Sequence, residues 1–398
     1  MHVMILNYTF HPDPTPAAKR MWDLACHLIG RGHQVTVLTS HHVAGDLTHK
    51  TRTDESVQGI RIRRVGSTRP GFCARAAYEL SRLPTADVLL AVTSPPLAAA
   101  MGVLFRRLFD TFSGARPRFV YYVMEVYPEA AIASGKLHSH GLLTRTYRSI
   151  TRRTLEASDA IVAMGEDMKA LLLQQYGEYA CGQHIEVVHP WANGKELYPI
   201  DKSRNPLAAK LGLDKSFNIL HAGHVGLAQD LPTLIKAIDL TSTDHSLQWV
   251  FLDGGTRLEP LQKRVLASKW THVRFITSQD RQNLNQYMSL GDVHLISQLE
   301  TFAGVTMSEQ LFTAMAVARP AVMIAADHAE GATLIRQHKA GVVIPNHHGE
   351  MLARSVWQLR DSPTLRALYG KSGRLALDQH YDLPIACARL EKILTGEG

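Results

Sequence analysis

The 398-residue sequence contains no run of 18 uninterrupted apolar residues, which argues against a helix that spans a bilayer. Its first segment, Met1–Phe10, has neither a basic flank nor a small-residue cleavage site, so no signal peptide is expected. Cysteine is scarce and dispersed. Cys26, Cys73, Cys181 and Cys387 form no close pair, which is neither zinc-ligand spacing nor a disulfide framework and points to a reducing compartment. Dense clusters of like charge are also missing. The formal charge is +7, and residues 1–190 hold 21 Lys/Arg against 16 Asp/Glu. A modest excess of that kind suits anionic substrates or lipid headgroups, whereas nucleic-acid binders cluster their charge more densely. Glycine (28) and proline (18) are near average abundance, which excludes collagen-like, disordered and coiled-coil chains.

What is present is an apolar share of 45% on a length that predicts two domains. Short β-branched runs alternate with helix-length segments. In the first half these runs are Val3–Leu6, Gln34–Thr39, Ile60–Val65, Val88–Val92, Phe119–Met124, Ala160–Met164 and Ile185–His189. In the second they are Asn218–Ala222, Gln248–Leu252, Val273–Thr277, Val293–Ser297, Ala321–Ala325 and Gly341–Pro345. Most are apolar on both faces, the pattern of parallel strands covered by helices. The expected fold is therefore α/β, two Rossmann-like doubly wound domains facing a central cleft. The seam falls in His189–Phe217, which holds three prolines and an Asn193–Gly194 turn, and gives domains 1–195 and 196–398. A final helical segment, Asp382–Thr395, is expected to pack across the seam.

Four segments can carry chemistry. The loop Asn7–Pro16 follows the first strand with three prolines and the polar side chains of His11, Asp13 and Thr15. It reads either as a wall where an acceptor docks or as a stiff connection that starts a helix. The segment Asn218–Asp230 is a strand, a loop with Gly223 and Gly226, and a helix. Such a loop lets an anion approach backbone N–H groups, or is simply a tight turn. The segment Glu300–Glu309 places Gly304 ahead of another helix, with Thr306 and Glu309 spaced as a capping box. Glu125, after a buried strand, can accept a hydrogen bond from a sugar hydroxyl or act as a base; the alternative is a cap on the next helix.

The 21 histidines lack regularly spaced acidic or cysteine partners, so they read as solvated or core residues rather than a metal centre. Lys136 to Arg153 contains five Lys/Arg and no acid. With Arg106–Arg107 it forms either a membrane-facing basic patch or a solvated helix face.

Taken in order, several stretches together resemble a family 4 glycosyltransferase with the GT-B fold. They are Arg31-Gly32-His33-Gln34-Val35-Thr36-Val37-Leu38-Thr39, Thr93-Ser94-Pro95-Pro96-Leu97, Glu125-Val126-Tyr127-Pro128-Glu129, Ala222–Gln229, Leu252-Asp253-Gly254-Gly255 and Ala316-Val317-Ala318-Arg319-Pro320. More narrowly, the chain resembles the branch that includes colanic acid biosynthesis and O-antigen N-acetylfucosaminyl transferases. The resemblance implies retaining, metal-independent transfer of a sugar from a UDP- or GDP-linked donor, with no cofactor beyond that substrate. It implies donor contacts at Gly223, Gly226, Gln229, Gly304, Val305, Thr306, Ser308 and Glu309. Acceptor contacts are expected at His11, Asp13, Thr15 and Tyr127; of the catalytic residues, Glu125 is expected to orient a hydroxyl and His224 to donate to the leaving group. The implied acceptor is a glycan or an undecaprenyl-diphosphate-linked sugar in surface polysaccharide synthesis. The implied location is the cytoplasm, peripheral to anionic lipid, with no nucleic-acid partner.

The chain departs from the family pattern where charge matters. His224 and Gln229 stand where the family has Arg and Lys, and Met307-Ser308-Glu309 stands where the branch has Pro-Ser-Lys. Val305 and Thr313 stand in place of paired glutamates, and Pro16-Ala17-Ala18 in place of a glycine pair. A diphosphate leaving group needs aligned donors or positive charge, so Arg281 or Arg319 is expected to contribute. Two other readings remain open: a non-catalytic binding partner on the same fold, and a sugar-nucleotide epimerase.

Overall fold

The computed structural model describes residues 1–44, 51–80, 86–93, 96–113, 116–181, 185–255, 258–277 and 283–397. Ser94, Pro95 and Arg281 lie outside the described residues, as does the side chain of Arg107. The chain divides into two compact units. The first is Met1–His189 with Gly304–Thr306 and Pro384–Gly398, and the second is Pro190–Ala303 with Met307–Leu383.

The first unit is built on β1 (His2–Leu6), β2 (Gln34–Thr39), β3 (Asp54–Val57), β4 (Ile60–Arg64), β5 (Val88–Val92), β6 (Arg118–Val123), β7 (Ala160–Ala163) and β8 (Ile185–Val187). They form one sheet in the order β3-β4-β2-β1-β5-β6-β7-β8, parallel except for the β3–β4 hairpin. All five residues of β5 are buried, as parallel strands covered on both faces require. Helices α1 (Pro16–Gly30), α2 (Arg69–Leu80), α3 (Pro96–Ser113), α4 (Glu129–Ala133), α5 (Leu142–Glu156) and α6 (Glu166–Cys181) connect the strands. Pro16 sits in the first turn of α1, where its missing N–H costs nothing.

The second unit holds α7 (Pro206–Leu211), α8 (Leu231–Leu240), α9 (Leu258–Ser268), α10 (Leu284–Met288), α11 (Gln310–Ala316), α12 (Glu330–His338), α13 (Gly349–Asp361) and α14 (Pro363–Ala376). Its strands are β9 (Phe217–Ala222), β10 (Leu247–Leu252), β11 (Val273–Ile276), β12 (Val293–Ser297), β13 (Ala321–Ile324) and β14 (Gly341–Ile344). They are all parallel, in the order β11-β10-β9-β12-β13-β14. That is the doubly wound arrangement, whose strand order reverses between β9 and β12. One face packs Trp249, Phe251 and Leu234, and the other packs Leu220, Phe312 and Met315.

The strand runs read from sequence all form strands, with ends shifted by a residue or two. The antiparallel strand β3 gives no apolar signal, because Asp-Glu-Ser-Val leaves alternate residues exposed. Three histidines of the second unit are core residues: His221, His272 and His294 each bond a backbone carbonyl. Burial lowers His221 and His294 to about 4, so both are neutral at pH 7. Arg106 is a correction to the basic patch. It is buried, and its guanidinium pairs with Asp159 and the Ala157 carbonyl, so it is unavailable to a lipid surface. Among the described residues, no helix is long and apolar enough to cross a membrane.

The last helix, α15 (Leu383–Thr395), packs with the first unit from Pro384 onward. Glu391 on α15 accepts hydrogen bonds from His27 Nε2 and His33 Nε2, both at 2.9 Å, and from Arg31 Nε at 3.3 Å. Desolvation pushes its carboxyl up, but the three donors outweigh it and hold it at about 2. A carboxylate with a depressed pKa stabilises the fold fully above its unfolded value and loses that contribution as pH falls towards the folded one. Glu391→Gln is therefore expected to lower the melting temperature at pH 7. The deficit should shrink as pH drops from about 4.5 towards about 2, which thermal denaturation at stepped pH would measure; a deficit independent of pH would be the wrong result.

Candidate functional site

In a doubly wound sheet, ligands gather beyond the carboxyl ends of the strands at the point where strand order reverses. In the second unit that point lies between β9 and β12, beside the loop His224–Asp230. Gly223 has φ +129°, and a Cβ there would stand 2.7 Å from Gln310 Nε2 at the start of α11. Gly255, with φ +152°, lies against the backbone of Val225, where a Cβ would come within 2.4 Å. The two loops are thereby closed against each other, with Val225 N–H donating to Gly254 O at 3.0 Å.

The amides of this edge fall into two groups. Gly223 N–H donates to Leu252 O at 3.2 Å, and Gly226 N–H donates to Gln229 Oε1 at 2.6 Å. Gly223 therefore does not supply the anion donor expected from sequence, because the β9–β10 ladder continues through it. Gln229 holds the loop closed with its carbonyl oxygen. The start of α8 is likewise occupied. Asp230 caps it, accepting from Thr233 N–H, Thr233 Oγ1, Asn346 Nδ2 and His347 N–H. The start of α11 differs. Among the described residues, the N–H groups of Ser308 and Gln310 take no acceptor, and the side chain of Ser308 makes no hydrogen bond. Both residues are half-buried, and His224 on the facing loop is exposed.

The capping box predicted at Thr306–Glu309 does not form. Thr306 pairs in a β-bridge with Glu125, and Val126 N–H donates to Val305 O at 3.0 Å. This extended pairing delays the helix to Gln310, with Glu309 at its N-cap and no side-chain cap bond. Gly304 is corrected too, since its N–H donates to Asp167 Oδ2 at 3.0 Å and is spent within the first unit. Gly304, Val305 and Thr306 thus group with the first unit, and Gly223, Gly226, Gln229, Ser308 and Glu309 with the second. Arg319 precedes β13, so it lies at the amino edge of the sheet, away from the loops above. There its Nε bonds Gly291 O and its Nη2 bonds Ile200 O, and it cannot serve a ligand at the carboxyl edge.

In the first unit the strand order reverses between β1 and β5. The loop after β1 is stiffened by Asp13, whose buried carboxylate accepts from Thr15 N–H, Thr15 Oγ1 and Ala44 N–H. Asp13 is accordingly committed to the loop itself, while the exposed His11 stacks on Trp22 with ring centroids 4.3 Å apart. Thr15 Oγ1 lies 3.1 Å from Thr9 Oγ1. After β6, Glu125 is open to solvent, yet surrounding protein crowds it enough that desolvation raises its carboxyl above the usual range. Arg69 and Lys136 pull the other way. Glu125 caps nothing: α4 starts at Glu129 behind Pro128. Tyr127 is half-buried, its hydroxyl raised by desolvation and then by Glu125. Among the described residues, no group of three or more His, Cys, Asp or Glu could hold a metal ion.

Residues 17–193 match Glycosyltransferase Family 4, and residues 203–376 match Glycosyl transferases group 1. The chain is composed of these two glycosyltransferase domains. It is similar to the probable glycosyltransferase WbjE of Pseudomonas aeruginosa, 22% identical over 69% of this chain and 66% of that protein. Its fold is that of GT-B glycosyltransferase structures. Sucrose-phosphate synthase from Thermosynechococcus elongatus superposes with a TM-score of 0.76 at 14% identity, over 100% of both chains. Anabaena Alr3699/HepE in complex with UDP-glucose gives 0.75 at 15%, also over 100% of both. WaaG, a glycosyltransferase involved in lipopolysaccharide biosynthesis, gives 0.73 at 18%, over 99% of this chain and 100% of that one.

Sequence reasoning passed over Arg69 in the family 4 domain and Asp230 in the group 1 domain. The first is an isolated arginine at the start of α2 that belongs to no motif. The second was legible as an Asp three residues before Thr233, a helix-start signal. Because Arg69 lowers the Glu125 carboxyl, Arg69→Gln is expected to raise it further. Carbon-detected titration of labelled glutamate, with Glu125→Gln to assign the resonance, would follow it. No movement would remove Arg69 from the surroundings of Glu125.

Proposed function

We propose that the protein is a retaining glycosyltransferase that takes a nucleoside-diphosphate sugar on its group 1 domain and a glycan or lipid-linked glycan on its family 4 domain. The observation that carries this reading is the pair of unengaged N–H groups at Ser308 and Gln310, joined by the Ser308 hydroxyl, opposite the close approach of Gly223. Aligned donors of this kind stabilise a diphosphate as negative charge develops on it. The exposed imidazole of His224 adds a further polar group. In the reaction the bond from the anomeric carbon to phosphate breaks and a bond to the acceptor oxygen forms. The acceptor proton passes to the departing phosphate, which balances the transfer without a side-chain nucleophile. Glu125 orients the acceptor hydroxyl.

UDP is the first donor nucleotide to test, because Alr3699/HepE binds UDP and UDP-glucose. The branch resemblance and the lipopolysaccharide role of WaaG support a place in surface polysaccharide synthesis, at the inner face of the cytoplasmic membrane. A lipid surface fits α5, where Leu142 is 80% and Leu143 64% exposed beside the exposed Arg145. Exposed leucines next to cations suit an anionic interface.

Calorimetric titration with UDP, GDP, CDP and dTDP, without added metal, tests the donor assignment. One nucleotide should bind, and Ser308→Ala should weaken it about tenfold, the size of a lost hydrogen bond to a charged group. Glu309→Lys should tighten binding, since it replaces a like charge beside the diphosphate. Silence for all four nucleotides in folded protein would favour the non-catalytic reading. For the membrane, flotation with anionic vesicles should fall at high salt and in a Leu142→Ser, Leu143→Ser double variant; unchanged flotation would refute the α5 surface.

A further inference from the structure

The carboxyl edge of the first sheet carries a cation that the proposed reaction has not used. Three bonds fix the chain after β4: Val65 N–H to Thr39 O at 2.8 Å, His41 N–H to Gly66 O at 2.9 Å, and Tyr8 hydroxyl to Ser67 O at 3.0 Å. The ring of Tyr8, itself buried, meets Phe72 of α2 edge-on at 5.5 Å. Arg69, the first residue of α2, therefore stands on a rigid base. Its side chain is exposed, and among the described residues it forms no ion pair or hydrogen bond. That is unusual in this unit, where Arg61, Arg63, Arg64, Arg106 and Arg148 all hold carboxylates.

The strand order puts β2, β1 and β5 between the ends of β4 and β6. Arg69 enters from the β4 side, and Glu125 and Tyr127 from the β6 side, so the two flank the reversal point between β1 and β5. Burial raises the Glu125, Tyr127 and Tyr8 groups and Arg69 lowers all three, in keeping with its place beyond the end of β4 on this edge. Lys136, also exposed and without an ion pair among the described residues, adds a second cation near Glu125. A rigidly based guanidinium without a partner is suited to bidentate recognition of phosphate. A carboxylate beside it would repel phosphate and accept a hydroxyl.

We propose that Arg69 is the residue that selects the acceptor by its charge, binding a phosphate or diphosphate group on the molecule whose hydroxyl Glu125 orients. Lys136 supports it at longer range. This rests on the reading of the first domain as the acceptor domain, and it adds the group that reads acceptor charge there.

The test is calorimetry on the full chain, with the nucleotide that binds best held at saturation so that the second domain is filled. Farnesyl diphosphate and inorganic pyrophosphate are the probes, and farnesol is the uncharged control. Wild-type protein should bind farnesyl diphosphate and ignore farnesol. Arg69→Gln should weaken that binding about tenfold or more, Arg69→Lys should retain part of it, and Lys136→Gln should weaken it less. Arg69-dependent binding of pyrophosphate as well would assign the site to phosphate as such; binding of the farnesyl compound alone would assign it to lipid-linked phosphate. Equal affinities in wild type and Arg69→Gln, or no binding of either anion, would overturn the proposal. The nucleotide titration separates the two readings, because Arg69→Gln should leave nucleotide affinity unchanged. A failure there would count against the donor assignment rather than against Arg69.

Discussion

The carboxyl edge of the second sheet depends on one buried carboxylate. Asp230 accepts hydrogen bonds from Thr233 N–H and Oγ1 on α8, and from Asn346 Nδ2 and His347 N–H beyond β14. Its own N–H donates to Ser297 Oγ at the end of β12. Desolvation alone would raise its pKa, but these donors overcome it and hold the group ionised. One anion thus ties together segments that follow three strands. Removing it would strand several buried donors at once, each worth roughly 1–3 kcal/mol. The loop that bears His224 is rigid because it ends at this residue.

That arrangement has a chemical consequence. The positive end of α8 is neutralised by Asp230, and the amides of Gly223, Val225 and Gly226 serve the loops themselves. On the proposed reading, an anion at this edge would be held at the start of α11 instead, where the amides of Ser308 and Gln310 are unengaged among the described residues. It meets there Gln229 and Glu309, neither of which is a cation. A leaving group stabilised mainly by neutral donors relies on their fixed direction, since oriented dipoles stabilise charge only where they need not reorganise. Rigidity from Asp230, and from the close approach of Gly255 to Val225, is what such a site requires.

The architecture was legible in the sequence because its strands are buried on both faces. Runs such as Val88–Val92 and Val293–Ser297 can be little else between helix-length segments. The hairpin strand Asp54–Val57 was not legible, because its alternate residues face solvent and its composition is polar. The site was legible only in part. Position along the chain located the edge loops correctly, since loops after parallel strands must lie there. It could not say which amides were already engaged. The capping box at Thr306–Glu309 failed for that reason: a distant partner, Glu125–Val126, claims the backbone that the local pattern assigned to a helix. Arg319 failed on direction, since a residue just before a strand lies at the opposite end of the sheet from one just after it.

The same accounting explains why the two edges differ in kind. Along the first sheet, side chains are the scarce resource. Asp13 is consumed by the loop after β1, Glu55 by the buried Arg64, and Asp159 by Arg106. Arg69 and Glu125 are left without an ion pair among the described residues and are suited to a ligand that brings both an anion and a hydroxyl. Along the second sheet, side chains such as Asp230 and Gln229 are consumed and amides remain. Those suit a diphosphate, which needs several short donors converging on one group. A sugar transferase needs these two chemistries on two molecules. Here each is built from whichever groups the local fold does not need for itself.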